Sequence, residues 1–309
     1  WMVGGVRMCM RDRGMRPEDG AGVADVDLAD RTVLVTGSTS GIGRETALAL
    51  GRLGAEVLVH GRSREDGAEV ARELDATAGS GAFHAADFAD LDAVAGLAEW
   101  ARGHDPDVLV ANAGGSFREG RLTDAGVEYT FAVNHLAGFL LTERLRPDLP
   151  DDGRIVIVSS EAHRGGSLDV DSLRSVDRYS SWGAYSRSKL ANVLHARELA
   201  RRTPEGGPAA NALHPGVVPG SGFVRHLPAP LRTLAGLAGG LAAVPFVGVE
   251  SPAEAAETSV YLAAAPDETT TGAYFDDCRD RQPAAAARDD RAAEQLWEWS
   301  KETLHRNGH

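Results

Sequence analysis

Tyr185 and Lys189 stand four residues apart in the stretch Tyr185-Ser186-Arg187-Ser188-Lys189. On a helix that spacing puts two side chains on one face, a turn apart. A phenol titrates near pH 10, about three units too high for proton transfer at neutral pH. A neighbouring ammonium favours the phenolate and lowers that value. A tyrosine tuned in this way gives a proton to a carbonyl oxygen or takes one from an alcohol. The same pair also arises by chance on ordinary helices, so its meaning depends on the residues around it. Two further residues could join it. Ser160 closes the apolar run Arg154-Ile155-Val156-Ile157-Val158-Ser159, where a hydroxyl could hydrogen-bond a substrate oxygen, although a terminal serine is often plain turn chemistry. Asn134 lies inside a helical pattern over Thr123 to Leu145, where asparagine competes for backbone bonds. That misfit marks it as a candidate for a buried polar role.

The elements that must position these residues can be read in order. Trp182 to Arg202 reads as the helix carrying Tyr185 and Lys189. Upstream, Thr32-Val33-Leu34-Val35-Thr36 is a β-branched apolar run of the kind that forms a buried parallel strand. Gly37-Ser38-Thr39-Ser40-Gly41-Ile42-Gly43 follows at once, and Arg44 to Leu53 has amphipathic helical spacing. Strand, glycine loop and helix together are the context of a phosphate-binding turn. Glycines let the backbone approach a pyrophosphate, and the helix N-terminus supplies free N–H groups and partial positive charge. The second strand, Ala55 to His60, ends in Gly61-Arg62-Ser63-Arg64. A carboxylate at that tip would bind a ribose 2′-hydroxyl and select NAD, whereas arginine accommodates a 2′-phosphate. No carboxylate is present, and Arg62, with Arg44 and Arg64 nearby, predicts NADP(H), with NAD(H) as the lesser alternative. Ala82 to Asp87 reads as a third strand whose Asp87 is placed for the adenine, with Phe88 next to it. Asp107 to Ala111 reads as a fourth, followed by the small residues Asn112-Ala113-Gly114-Gly115. Arg154 to Ser160 is a fifth strand, Asn211 to Leu213 a sixth and Ala273 to Phe275 a last short one. Strands and helices alternate, which predicts a parallel, doubly wound α/β sheet with ligands at the carboxyl ends of its strands.

Composition narrows the class. The chain has 309 residues, 43% hydrophobic and 25% charged, ordinary for a globular protein. A net charge of −13 argues against nucleic-acid or anionic-membrane partners. Two cysteines allow neither a disulfide framework nor metal spacing, so the reading is cytoplasmic and metal-free. No run of about 18 apolar residues exists, so no membrane span is expected. Residues 1–27 read as a poorly structured leader without a signal peptide, and residues 28–309 as one domain. Residues 217–250, rich in glycine, alanine and leucine, read as an apolar cover over the substrate, or equally as a packed helix pair. Ser251-Pro252-Ala253-Glu254 has the signature of a capped helix start, and residues 288–304 that of an amphipathic C-terminal helix. His163, close after Ser160, is left outside the catalytic set.

The chain resembles the short-chain dehydrogenase/reductases over roughly Asp30 to Phe275. The resemblance rests on Thr36-Gly37-x-x-x-Gly41-x-Gly43, Asp87, Asn112-Ala113-Gly114, Asn134, Ser160, Tyr185-x-x-x-Lys189 and Pro215-Gly216, in family order and spacing. The stretches Val133 to Thr142, Ala184 to Asn192 and His214 to Val218 look like the branch of retinol dehydrogenases and the WW-domain oxidoreductase. The resemblance implies a single Rossmann-type doubly wound sheet of about seven strands, with helices on both faces. It implies Tyr185 as acid/base, Ser160 orienting the carbonyl or alcohol, Lys189 holding the nicotinamide ribose and tuning the phenol, and Asn134 supporting a proton relay. Cofactor contacts would come from the glycine loop, Arg62, Asp87 and Phe88, Asn112 to Gly114, and Pro215-Gly216-Val217-Val218. The partner implied is a small carbonyl or alcohol substrate, and family members pair as homodimers or homotetramers through the helices bearing Asn134 and Tyr185. A threonine usual after Pro215-Gly216 is replaced by Gly220, with Ser221 beside it. Two alternatives remain in view: reduction of a C=C bond on the same scaffold, and a non-catalytic NADP-binding protein.

Overall fold

The computed structural model describes residues 15–216 and 250–309. Its sheet has eight strands in the order β3-β2-β1-β4-β5-β6-β7-β8. These are β1 (Thr32–Val35), β2 (Glu56–Gly61), β3 (Ser80–Ala85), β4 (Val108–Ala111), β5 (Arg154–Val158), β6 (Ala209–His214), β7 (Tyr274–Asp276) and β8 (Arg279–Arg281). All neighbouring pairs are parallel except β7 with β8. The chain winds outward through β1, β2 and β3, then returns to the other side of β1 with β4. That reversal opens a crevice between β1 and β4 at their carboxyl ends.

Alternate strand residues feed two separate cores. Leu34, Leu58, Leu109, Ile155 and Ile157 point to one face. It is covered by α4 (Leu91–Arg102), α6 (Ala137–Leu145), α7 (Ser181–Arg202) and the C-terminal α9 (Asp290–Arg306). Val33, Val35, Val57, Val59, Val110 and Val156 point to the other face, covered by α2 (Gly41–Arg52), α3 (Arg64–Leu74) and α8 (Pro252–Ala264). A strand buried on both faces reads as a continuous apolar run, which is why these strands were visible in the sequence. The capping box at Ser251 and Glu254 forms at the start of α8 as its residues predict.

Four expectations change. Residues 15–27 are not a loose leader: the turn of helix Pro17–Gly20 packs against α8, Ala21, Val23 and Leu28 are buried, and Glu18 is buried against Arg52. Residues 1–14 lie outside the described part. The helix expected from Thr123 begins only at α5 (Tyr129–Phe131), because Gly126 turns the chain at φ +69° and buried Glu128 caps the N–H groups of Thr130 and Phe131. Between α5 and α6 runs a π-helical stretch, Ala132–Leu136, which carries Asn134. The seventh strand continues into an eighth, through a two-residue turn at Asp277 and Cys278 with φ of 54° and 55°. Such paired positive φ values match the twist of a hairpin. β8 is exposed and wholly charged, so no apolar pattern announced it.

The tryptophans of α9 pack as the sequence suggested. Trp299 meets Phe131 at 5.7 Å between ring centroids, and Trp297 meets Phe139 at 4.9 Å. On this face α9 of the same chain packs on α7, which bears Tyr185, and its tryptophans reach Phe131 and Phe139 on either side of Asn134. No helix among the described residues is long and apolar enough to cross a membrane.

Candidate active site

A cleft of about 790 Å³ runs along the carboxyl ends of the strands. One end is built by the glycine loop. Gly37 and Gly41 take φ of 64° and 58°, a region that side chains disfavour. A Cβ on Gly43 would stand 2.3 Å from the Gly37 carbonyl oxygen and 2.4 Å from Asn112 Nδ2, so only glycine lets α2 begin this close to the loop. Ser40, at the N-cap of α2, makes no side-chain capping bond, which leaves the first N–H groups of that helix facing the cleft. Thr39, Ser40, Ile42 and the three loop glycines line the wall. Ser38 does not. It is fully buried under the loop, its hydroxyl donating to the Val35 carbonyl at 2.7 Å and accepting from the His60 N–H at 3.1 Å. A hydroxyl committed to two backbone groups holds the turn and does not reach a ligand.

Asn112 and Ala113 line the cleft and also brace the loop. Asn112 Nδ2 donates to the Thr36 carbonyl at 2.8 Å, while Thr36 Oγ1 accepts from the N–H groups of Asn112 and Ala113 at 2.9 and 3.0 Å. Arg62, Asp87 and Phe88 line the same end. Arg44 is spoken for, because its guanidinium takes both oxygens of Glu73 at 2.5 and 2.7 Å. Of Arg44, Arg62 and Arg64, Arg62 is the one on the cleft wall.

At the other end Ser160 and Tyr185 both line the cleft, and the Ser160 hydroxyl accepts from the Ala162 N–H at 3.2 Å. Ser160 stands two residues past β5, at the N-cap of the turn Glu161–Gly165, and Tyr185 sits one turn into α7. Tyr185 keeps part of its surface on the cleft while its ring lies deep in the protein, and burial pushes its phenol above the usual value. The nearby Ser160 hydroxyl acts in the opposite direction. Lys189, expected to tune the phenol, lies behind it. Lys189 is 4% exposed, its ammonium donates to the Val158 carbonyl at 3.0 Å, and it stands 5.7 Å from the centroid of the Tyr185 ring. Burial pushes Lys189 from its usual 10.5 down to about 8, so its own charge is disfavoured here.

Asn134 lies behind the cleft. Its amide accepts from the Gly115 N–H at 2.8 Å and donates to the Gly115 carbonyl and to Ser188 Oγ, both at 2.9 Å. It thereby ties the strand β4 loop to the helix of Tyr185 and Lys189. The π-helical turn rolls this side chain inward; such turns are often found where function demands one displaced residue. A Cβ on Gly114 would lie 2.9 Å from Asn134 Oδ1 and 3.7 Å from Lys189 Nζ, so Gly114 keeps the cleft floor thin above both.

His163 is fully buried and both its ring nitrogens are engaged. Nε2 accepts from the Ala284 N–H at 3.0 Å, which requires the proton on Nδ1, and Nδ1 donates to the Ser160 carbonyl at 2.7 Å. Burial holds its pKa below the usual value. It is a neutral brace under the serine turn and no proton donor to a substrate. Pro215 and Gly216 line the cleft, whereas Val217, Val218, Gly220, Ser221 and most of the expected cover lie outside the described residues.

Two wall residues, Phe117 and Tyr129, had no motif to announce them. Phe117, Tyr129, Val133, Ala162 and Trp182 give the Tyr185 end an apolar wall, and Glu161 and His214 stand at its rim. Tyr179 and Ser181 fix that wall by donating to the Phe117 carbonyl at 2.6 and 2.5 Å. These side chains come from distant loops, and only the crossing of those loops assembles them.

With the geometry in hand, comparison with known proteins is consistent throughout. Residues 31–229 match the family described as short chain dehydrogenase. Mouse (Mus musculus) retinol dehydrogenase 14 is 38% identical over 290 residues, covering 88% of this chain and 85% of that protein. A solved structure from Mycobacterium paratuberculosis superimposes with a TM-score of 0.72 at 32% identity, covering 91% of this chain and 96% of the other. The promiscuous reductase LugOII, which catalyses keto-reduction at C1 during lugdunomycin biosynthesis, matches with a TM-score of 0.62 at 27% identity, covering 80% of this chain and 96% of that one. The chain is a short-chain dehydrogenase/reductase, an oxidoreductase of the retinol dehydrogenase-like branch.

Proposed function

We propose that this protein interconverts a carbonyl and an alcohol on a small apolar substrate with NADP(H) as cofactor. The observation that carries this reading is Ser160 and Tyr185 brought together on the wall of one cleft, with buried Lys189 behind them. The fit of a dinucleotide rests on the glycine cradle at Gly37 and Gly43, the open N-terminus of α2, and Arg62 where a 2′-phosphate would sit. When bound, the cofactor supplies or accepts the hydride. Tyr185 gives its proton to the substrate oxygen in reduction and takes it back in oxidation. The phenol is protonated at neutral pH, the form that reduction requires, although burial that raises its value makes it a weaker donor than an ordinary phenol. Ser160 donates to the same oxygen and steadies the charge that develops on it. Lys189 meets the ribose from below, and Asn134 holds the loop and helix that flank it. The wall of Phe117, Tyr129 and Trp182 supports an apolar substrate, in keeping with the retinol dehydrogenase and keto-reductase relatives. Two cysteines without disulfide spacing support a cytoplasmic setting.

The test follows NADPH oxidation with a panel of apolar aldehydes and ketones, with NADH alongside. Tyr185→Phe is expected to lose turnover by about 10²- to 10⁴-fold, the usual contribution of a positioned acid, and to keep NADPH affinity. Turnover within a few-fold of the parent would sink the mechanism.

A further inference from the structure

His60 is the last residue but one of β2, just before Gly61 and Arg62, and is 3% exposed on the cleft wall. Both of its ring nitrogens meet backbone. The Gly37 N–H donates to Nδ1 at 3.1 Å, and Nε2 lies 3.2 Å from the Ala86 carbonyl. An N–H can only donate and a carbonyl can only accept, so the proton sits on Nε2 and the ring is neutral. Burial agrees with this, pushing His60 from its usual 6.5 down to about 4. The ring also stacks on Phe88, with 4.5 Å between centroids. The main chain of His60 joins the same loop, its carbonyl accepting from the Ser38 N–H at 2.9 Å. Gly37 begins the phosphate-binding turn, while Ala86 to Phe88 form the tip where an adenine would lie. A single side chain therefore ties two segments of the cleft that are far apart in sequence.

We propose that His60 is a positioning residue for the dinucleotide. It locks the glycine loop, in its left-handed Gly37 conformation, to the adenine-side tip, so that both halves of the cofactor meet a preformed surface. The inference rests on the reading of this cleft as an NADP(H) site. Preorganisation of this kind strengthens binding without touching the ligand through a charge. It also gives each ring nitrogen a separate job. Nδ1 serves the phosphate side and Nε2 serves the adenine side.

Two conservative variants separate those jobs. Asparagine places an acceptor near the Nδ1 position, and glutamine places a donor near the Nε2 position. His60→Asn, His60→Gln and His60→Leu are compared with the parent for binding of NADPH, by quenching of protein fluorescence. Binding of adenosine 2′-monophosphate, which lacks the pyrophosphate, is followed by competition. The parent is measured first, and failure to bind NADPH would overturn the cofactor reading and this inference with it. His60→Leu is expected to weaken NADPH about tenfold or more, from the loss of two hydrogen bonds to buried backbone. His60→Gln should hold adenosine 2′-monophosphate nearly as the parent does while losing NADPH affinity. His60→Asn should recover NADPH affinity relative to His60→Leu and bind adenosine 2′-monophosphate more weakly than the parent. Thermal melts of the free proteins accompany each measurement. If His60→Leu does not fold, the Asn and Gln variants decide. Two such variants binding both ligands as the parent does, or losing both alike, would overturn the proposal.

Discussion

Replacing Lys189 by methionine should make the cofactor-free protein more stable at neutral pH while destroying its activity. Lys189 is buried, its pKa is pushed from 10.5 to about 8, and no carboxylate partner contributes to that shift. The sign follows from proton counting. Between pH 8 and 10.5 the unfolded chain binds a proton here that the folded chain does not, so stability rises with pH across that window. Below it, the folded state carries the full cost of the buried charge, about 3 kcal/mol from a shift of this size at 1.36 kcal/mol per unit. At pH 10 the remaining cost is below about 1 kcal/mol by the same relation. Methionine keeps the length and apolar body of the side chain. The Val158 carbonyl retains a donor in Asn192 Nδ2 at 3.1 Å, so the substitution orphans no buried acceptor. The lost lysine hydrogen bond offsets about 1 kcal/mol of the gain. Urea denaturation at pH 7 should therefore place Lys189→Met about 2 kcal/mol above the parent, and at pH 10 level with it or slightly below. A difference between the two proteins that is the same at both pH values would refute the account of a buried, penalised ammonium.

Other substitutions probe the remaining parts of the site. His163→Phe removes the bonds to the Ser160 carbonyl and the Ala284 N–H. It should cost about 2 kcal/mol or more in a denaturant melt and lower kcat with NADPH affinity kept, and an unchanged kcat would remove His163 from the support of Ser160. Gly43→Ala puts a methyl 2.3 Å from the Gly37 carbonyl oxygen, so fluorescence titration should find NADPH binding lost, and intact binding would contradict the closeness of loop and helix. Arg62→Glu should move the ratio of kcat/KM for NADPH over NADH toward NADH by about tenfold or more, since it puts a carboxylate where a 2′-hydroxyl would be bound. A ratio that does not move would show that Arg62 does not read the 2′-position.

The candidate residues Asn134, Ser160, Tyr185 and Lys189 and the strand–loop–helix at the glycine end of the cleft were legible because each depends on local order. A β-branched run, a glycine pattern and a four-residue helical spacing are consequences of backbone geometry over a few residues, and they do not need the rest of the chain. The packed segment at residues 15–27 was not legible. A single helical turn has no period to detect, and its place is set by the pairing of Glu18 with Arg52, 34 positions away. The π-helical turn at Asn134 was equally hidden, because the residues that favour it favour an ordinary helix as well.

Sequence alone therefore determined the parallel sheet up to its last strand, its winding, the family and the candidates Asn134, Ser160, Tyr185 and Lys189, since those follow from pattern and spacing. Tertiary structure decided what each group is free to do. It took Ser38 and Arg44 out of reach of the cleft and engaged both nitrogens of His163 with backbone. It placed His60 between two distant loops and left Lys189 buried without a counter-charge. The physical reason is common to all of these. A polar side chain acts through the hydrogen bonds it has left over, and burial and crossing loops fix that remainder, which no local pattern encodes.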